Sequence, residues 1–102
     1  MKFKVIRTPK VNRDIRRIRD WLLGEDVELS FRFAKGFQRS VSRLKELPEI
    51  GSEYRARDGT FRRRVRVEGF DRYWIYYAFD GMTLRILRVI HSSQNAETEM
   101  QK

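Results

Sequence analysis

Most of the information about the fold lies in Arg72-Tyr-Trp-Ile-Tyr-Tyr-Ala-Phe79, which is followed by Asp80-Gly81 and then by Leu84-Arg-Ile-Leu-Arg-Val-Ile-His91. Asp-Gly between two apolar runs is a strong hairpin signal, because both central residues of such a turn need positive φ. The first run is apolar or aromatic at nearly every position, so both of its faces should be covered. We therefore predict a β-hairpin whose first strand lies inside a sheet.

The stretch just before this hairpin alternates with a period of two residues, which predicts another strand. Its apolar side chains fall on one face (Phe61, Val65 and Val67), and arginines fall on the other (Arg62, Arg64 and Arg66). Arg63 breaks the alternation, because it falls on the apolar face. An arginine at an apolar position is harder to explain as part of a solvated face, so Arg63 is a candidate functional residue.

Two helices are predicted in the first half of the chain. Thr8-Pro9 matches a helix start, with threonine as the N-cap and proline at the first helical position, and Gly24 is expected to end a helix over 10–23. Negative charge at 25–28 favours the start of a second helix, which Pro48 should stop. Gly36 within it suggests a close approach of the two helices. The apolar stripe that we expect in the core includes Trp21, Phe33, Phe37 and Val41.

Residues 2–7 alternate weakly and predict a first strand, whereas 48–60 carries no periodicity and predicts a loop. The resulting order is β-α-α-β-β-β. This pattern is typical of an α+β fold in which an αα-hairpin packs on one face of an antiparallel sheet. We expect a single domain over 1–102, with a flexible polar tail at 92–102.

Composition excludes several functional classes. The chain has no cysteine and one histidine, so we expect neither a disulfide nor a metal site, and no pattern suggests a cofactor. No run of 18 or more apolar residues is present, and the N-terminus lacks the apolar segment of a secretory signal. These features favour a cytoplasmic protein without a membrane contact.

The formal net charge of +9 predicts an anionic partner. Of the 23 basic residues, 17 are arginine and 6 are lysine. The planar guanidinium group suits bidentate contact with phosphate or carboxylate better than an ammonium group does. A nucleic acid, an acidic protein, or both would fit this composition.

The order of these motifs resembles the RelE/ParE superfamily of bacterial type II toxins, and specifically its ParE branch. The resemblance extends from Val5 to about Asn95. It rests on the helical hairpin, Leu47-Pro-Glu-Ile-Gly51, the arginine-bearing strand, Arg72-Tyr-Trp-Ile-Tyr-Tyr77 and Leu87-Arg-Val-Ile-His91.

The resemblance implies a small toxin that arrests growth and is neutralised by a cognate antitoxin with an acidic, amphipathic segment. ParE-like members poison DNA gyrase by binding to it, whereas RelE-like members cleave mRNA on the ribosome. The fold alone does not separate these activities. The segment 92–100 lacks the basic residues and tyrosine that RelE-like sequences carry near the C-terminus. We therefore expect a gyrase inhibitor that is not an enzyme, with a ribosome-dependent, metal-independent endoribonuclease as the alternative.

Candidate site residues follow from charge and from the resemblance. Target binding, including possible contact with nucleic acid or the ribosome, is assigned to Arg62, Arg63, Arg64, Arg72, Arg88 and His91. The ribonuclease alternative would use Arg72 and His91 in catalysis, since His91 can act as acid or base. Antitoxin binding is assigned to an apolar patch and to two arginines of the loop, namely Val27, Leu29, Phe31, Arg55 and Arg57.

Overall fold

The aromatic strand of the hairpin lies at the centre of a five-stranded sheet. The computed structural model describes residues 3–102. The elements in chain order are β1 (Lys4–Arg7), α1 (Pro9–Glu25), α2 (Val27–Glu46), β2 (Ser52–Arg55), β3 (Phe61–Val67), β4 (Phe70–Phe79), β5 (Thr83–His91) and α3 (Ala96–Met100). The strand order is β1-β5-β4-β3-β2. The predicted α+β class, with a helix pair beside the sheet, is confirmed.

The sheet is mixed, because its first strand runs parallel to its last. β1 pairs with β5 from Lys4 opposite Thr83 to Arg7 opposite Ile86, and the other neighbouring strands pair antiparallel. A parallel pair needs a long connection, and here the helices and three strands supply it. The prediction of a strand over 2–7 holds from Lys4 onward, while Lys2 lies outside the described residues.

The hairpin between β4 and β5 turns one residue later than predicted. Phe79 pairs with Leu84, and the Asp80 N–H donates to the Thr83 carbonyl, so Gly81 and Met82 form the tip. Gly81 has φ +92°, whereas no non-glycine residue of the described chain has positive φ. Asp80 instead accepts hydrogen bonds from the N–H groups of Met82 (2.9 Å) and Thr83 (2.7 Å). An aspartate whose carboxylate accepts hydrogen bonds from the next residues can support a turn without adopting a left-handed backbone conformation itself.

Two short elements stand where the sequence predicted irregular chain. β2 is an edge strand of four residues, Ser-Glu-Tyr-Arg, paired with β3 so that Tyr54 lies opposite Arg62. Short, charged edge strands resist pairing with other chains, and they lack apolar alternation. The expected flexible tail contains α3, whose Glu99 carbonyl accepts a hydrogen bond from Arg88.

The two long helices are joined by a single residue. The Thr8 hydroxyl caps α1 by accepting from the Val11 N–H at 3.2 Å, as its Thr-Pro start predicts. Gly24 does not end α1, because the helix runs on to Glu25. Asp26, in extended conformation, is both the C-cap of α1 and the N-cap of α2, where its carboxylate accepts from the Glu28 N–H at 2.8 Å. No left-handed residue is needed at this junction.

The core lies between the helices and one face of the sheet, which we call the inner face. The opposite face is the outer face. The buried core includes Val11, Ile15, Ile18 and Leu22 of α1, Phe33, Phe37, Val41 and Leu44 of α2, and Val67, Ile75, Tyr77, Leu84, Ile86 and Val89 of the sheet. The expectation that Trp21 belongs to the core is wrong, since 62% of this residue is exposed. Trp21 lies beside the buried stripe of α1, next to Leu22.

Gly36 is required by the sheet and not by the neighbouring helix. A Cβ atom at this position would lie 2.3 Å from the carbonyl oxygen of Glu68, in the turn between β3 and β4. Ser40 links the same two segments, because its hydroxyl donates to the Gly36 carbonyl and accepts from the Glu68 N–H, each at 2.9 Å. The close approach predicted from Gly36 is therefore a helix–turn contact.

Candidate functional site

The alternating arginines of β3 lie on the outer face, as their period predicts. In the register with β4, Arg64 lies opposite Tyr76 and Arg66 lies opposite Trp74. Arg62 lies opposite Tyr54 of β2, whose ring contacts that of Tyr76 with centroids 5.5 Å apart. The backbone of β3 thus places three arginine side chains in one row.

Trp74 holds two of these arginines in place. The guanidinium carbon of Arg64 lies 4.2 Å from the centre of the indole ring, and that of Arg66 lies 4.7 Å from it. Arg64 also approaches the hydroxyl of Tyr76, with Nη1 at 3.4 Å. Cation–π contacts of this kind fix the guanidinium planes while leaving their N–H edges available.

The row of arginines makes no ion pair with a carboxylate in the described residues. Hydrogen bonds from Thr60, and to a smaller extent the charge of Arg62, lower the pKa of the nearby Asp58 carboxyl. Within residues 3–102, ion pairs to carboxylates involve only Arg17, Arg63, Arg88 and Lys102. Within the same residues, the Nε atom of Arg62 is buried and has no hydrogen-bond partner. Arg72, which alternation along β4 places on the same face as Trp74, is exposed. We call Arg62, Arg64, Arg66 and Arg72 the arginine surface.

Arg63 is held by contacts within the chain, and its assignment to target binding stays a prediction. Its side chain is 15% exposed and carries an ion pair with Glu53 at 3.0 Å. The same guanidinium donates to the backbone carbonyls of Glu49 (3.0 Å) and Gly51 (3.1 Å). Arg63 thus ties the segment before β2 to β3, which explains why it breaks the alternation of the strand.

Arg88 is also held inside the molecule and is removed from the candidate contact residues. It is 5% exposed, and its Nε and Nη2 donate to the two carboxylate oxygens of Asp14 at 2.6 and 3.0 Å. Nη1 donates to the carbonyl of Glu99. Asp14 lies on the buried face of α1 beside Val11 and Ile15, and this interruption of the apolar stripe was the sequence signal for a buried partner.

His91 lies on the inner face of the sheet. It pairs with Tyr73 in the register, and the two rings meet edge to face with centroids 4.9 Å apart. Tyr73 also packs on Phe33 of α2, which places this pair on the inner face. Alternation along β4 predicts that the side chain of Arg72 is directed to the outer face, away from the ring of His91.

The imidazole of His91 is already engaged with the following turn. Its Nδ1 accepts from the N–H of Ser93 at 3.0 Å and lies 2.7 Å from the hydroxyl of the same residue. Trp21, Tyr73 and Gln94 line a groove beside it with a volume of about 470 Å³. Within this groove, the ring contributes an aromatic wall between α1 and the end of β5.

The predicted antitoxin residues fall in two separate places. Val27 is 71% exposed and Phe31 is 57% exposed, both at the start of α2, whereas Leu29 is partly buried against the core. Val27 and Phe31 line a groove of about 630 Å³ between α1 and α2, together with Leu23. We call this region the hairpin groove. Arginines 16 and 19 of α1 are exposed along its rim.

Arg55 and Arg57 lie at the opposite edge of the sheet, in β2 and the loop after it. Arg55 lies over the ring of Phe61, with 5.4 Å from its guanidinium carbon to the ring centre. The backbone N–H of Arg57 donates to the carboxylate of Glu97 in α3 at 3.2 Å. Both side chains are exposed, but they do not adjoin the hairpin groove.

Tyr54 lies where this loop, α3 and the arginine surface meet. Its partial burial, with a smaller contribution from Tyr76, raises the pKa of the Tyr54 hydroxyl to about 12. Burial also raises the pKa of Tyr73 and of Tyr77. These phenols stay protonated near neutral pH, so they can donate hydrogen bonds but do not supply a general base there.

The part of the chain that the structure describes contains no cluster of three or more potential metal-ligating side chains. No helix within it is long and apolar enough to cross a membrane. The site is therefore built of arginines, aromatic rings and phenolic hydroxyls, which can bind anions through charge-assisted hydrogen bonds.

Comparison with known proteins gives the family. A search of curated proteins found no match to the chain. Residues 5–96 match the family model described as the ParE toxin of the type II toxin-antitoxin system, parDE. Such a system pairs each toxin with a cognate antitoxin. Since the match covers nearly the whole chain, this protein belongs to the ParE toxin family and is the toxin of a type II toxin–antitoxin system.

Proposed function

We propose that this toxin arrests growth by binding DNA gyrase and that its chemistry is that of recognition, without bond cleavage. Membership of the ParE family supports gyrase as the target, given the resemblance described above. The arginine surface supports a contact that depends on charge. DNA gyrase bound to its DNA offers both acidic protein surface and phosphate.

The observation that carries this proposal is the position of His91 on the inner face, against Tyr73, whereas alternation along β4 predicts that the side chain of Arg72 is directed to the outer face. Metal-independent RNA cleavage needs a general base and a general acid on either side of one phosphate. Beside the arginine surface the phenol of Tyr54 remains protonated near neutral pH because its pKa is raised to about 12, and His91 lies on the inner face. A surface of guanidinium groups can stabilise an anion, but it supplies neither the general base nor the general acid that cleavage requires.

Arg62, Arg64 and Arg72 remain the residues of the original set that we assign to the target. Their guanidinium groups lie on one face and have no carboxylate partner within the described chain. Arg66 joins them by position, since it shares the ring of Trp74 with Arg64. Arg63 and Arg88 act through the fold, by holding the chain around the sheet.

We further propose that the antitoxin neutralises the toxin through the hairpin groove. Val27 and Phe31 offer apolar side chains in a concave surface, and Arg16 and Arg19 border it. An amphipathic segment with acidic residues would place its apolar side in the groove and its carboxylates near these arginines. Arg55 and Arg57 lie too far from the groove to belong to the same contact, unless the antitoxin continues across the sheet.

The experiment that tests the target is a supercoiling assay with purified DNA gyrase and folded toxin. We expect inhibition at near-stoichiometric toxin, accumulation of cleaved DNA, and reversal when antitoxin is added. Arg72→Glu should abolish inhibition, because it reverses the charge of an exposed residue without touching the core.

Arg85→Glu is the matched control, since Arg85 is an exposed arginine of the neighbouring strand β5 outside the arginine surface. It makes the same change in net charge, so its inhibition should stay near that of the unmodified protein. Absence of inhibition by the folded toxin, together with mRNA cleavage in a translating extract, would refute the proposal and support the ribonuclease alternative.

A further inference from the structure

The arginines of β3 repeat at the spacing of an extended polyanion. Arg62, Arg64 and Arg66 are separated by two residues each, so their Cα atoms follow one another at about 6.7 Å along the strand. This separation is close to that between neighbouring phosphates in an extended nucleic-acid strand. Three cations in register can therefore meet three successive phosphates without bending the ligand.

Trp74 of the neighbouring strand β4 restricts the side chains of Arg64 and Arg66 before any ligand binds. Because Arg64 and Arg66 both lie against the ring of Trp74, at 4.2 and 4.7 Å, fewer side-chain rotamers are lost when they bind a ligand. A guanidinium group held in this way presents its N–H edge as a planar fork, which fits the two free oxygens of a phosphodiester. Arg72 extends the surface at the end of β4.

We propose that the arginine surface binds a single strand of DNA through its phosphates. The choice of DNA as the polyanion rests on the proposed function, because the gyrase complex holds and opens DNA. The toxin then contacts the nucleic acid of that complex directly, through β3 and β4.

The position of these arginines favours a nucleic-acid strand over an acidic peptide. An extended peptide gains most by pairing its main chain with a free sheet edge. The arginine surface lies on the face of β3 and β4, and both of these strands have neighbours on each side. A nucleic acid binds through its phosphates and needs no free backbone from the protein.

The aromatic side chains predict recognition of the backbone and not of the bases. Tyr76 and Tyr77 are buried, and the ring of Trp74 is occupied by two guanidinium groups. Base stacking requires an open aromatic surface. Binding should therefore show little preference among base sequences and a strong dependence on salt.

The test is fluorescence anisotropy of a labelled oligothymidylate of about a dozen nucleotides, a length in the range of known single-strand sites, titrated with the full chain in the absence of gyrase. Four phosphate contacts predict that log K falls with log salt at a slope of about −3. Arg64→Gln and Arg66→Gln should each reduce this slope by about 0.7, which is one contact for a single strand. Affinity near 0.1 M salt should fall severalfold in each variant.

Arg13→Gln and Arg39→Gln are the controls, because these exposed arginines lie on the two long helices, away from the outer face and outside the hairpin groove. Each control removes one positive charge, as the β3 variants do, but outside the proposed contact. The slope of log K against log salt should therefore equal that of the unmodified protein. A loss of affinity as large as that of the β3 variants would mean nonspecific attraction and would overturn the proposal. Circular dichroism establishes that each variant is folded.

Competition identifies the polyanion. Polyglutamate of equal charge should compete weakly, and a duplex or an oligouridylate should bind no more tightly than the oligothymidylate. Tighter binding of any of the three overturns the choice of single-stranded DNA and points to an acidic protein, to double-stranded DNA or to RNA respectively.

The supercoiling assay keeps this inference separate from the proposed function. If Arg64→Gln loses the oligothymidylate and still inhibits gyrase fully, the inference fails while the function stands. If the unmodified protein binds the oligothymidylate and leaves gyrase active, the gyrase proposal fails while direct DNA binding stands.

Discussion

The pair of Asp14 and Arg88 shows how one buried contact can join distant parts of the chain. Asp14 accepts both hydrogen bonds of the Arg88 fork and a third, at 3.0 Å, from the backbone N–H of Val89. Arg88 uses its remaining nitrogen on the carbonyl of Glu99. The pair therefore links α1, β5 and α3. Asp14 also carries an ion pair with the exposed Arg17 at 3.3 Å, so Arg88 is its buried cation and Arg17 is one screened by solvent.

We predict that Arg88→Ala lowers the free energy of unfolding by about 3–5 kcal/mol, because it removes the buried cation of Asp14 and leaves that carboxylate with only the exposed Arg17. Urea denaturation measures this change. Arg85→Ala, at an exposed position of the same strand, should stay within about 0.5 kcal/mol of the unmodified protein. The double variant Asp14→Leu with Arg88→Met should lose less than Arg88→Ala, since it removes both charges and keeps apolar volume. Equal, small effects of Arg88→Ala and Arg85→Ala would show that the pair contributes little.

At the scale of elements, two helical glycines differ in what surrounds them. Gly36 of α2 faces the Glu68 carbonyl, which belongs to the backbone of a tight turn and cannot swing away. Gly24, near the end of α1, has no atom within 4 Å of the position that a Cβ would take. The same substitution should therefore have opposite effects at the two sites.

We expect Gly36→Ala to destabilise the protein by about 1–3 kcal/mol, the usual cost of inserting a group into packed space. Gly24→Ala should instead stabilise it by up to about 1 kcal/mol, because alanine loses less backbone entropy in a helix. Thermal unfolding followed by circular dichroism would report both changes. Stabilisation by both substitutions would show that α2 and the β3–β4 turn can move apart at little cost.

The elements that could be predicted from the sequence are those determined by neighbouring residues. The helices start and stop on local signals, the cap at Thr8 and the break at Pro48, and both signals are read correctly from neighbouring residues. β2 exists because β3 offers it an edge, and its own sequence has no alternation. The β4–β5 turn shifted by one residue because the cross-strand pairing of Phe79 with Leu84 sets its position.

At the scale of the whole molecule, the sequence predicted the part of the candidate site whose position follows from alternation along a strand. Arg62, Arg64 and Arg66 share a face by the period of the strand alone. Arg88 is buried by a residue 74 positions away, so the interruption of the α1 stripe by Asp14 indicates a buried partner without identifying it. His91 is placed on the inner face by its pairing with Tyr73, which only the assembled sheet defines.

The sheet also separates the two surfaces that the proposed function requires. The arginine surface lies on the outer face of β3 and β4, whereas the hairpin groove lies between α1 and α2, on the helical side. Neutralisation by an antitoxin bound in the groove would then act from a distance or by extending around the edge of the sheet. Substitutions on one side should leave binding on the other side intact.

We predict that Val27→Glu with Phe31→Glu weakens antitoxin binding by roughly a hundredfold to ten-thousandfold, since each large apolar side chain contributes about 1.5–3 kcal/mol when it is buried. The doubly substituted toxin should still arrest growth, and the antitoxin should no longer rescue the cells. Arg72→Glu should do the reverse, with growth restored and antitoxin binding unchanged in a titration calorimetry experiment. Folded variants in which both substitutions abolish both properties would place target and antitoxin on one shared surface, and the separation by the sheet would then carry no functional meaning.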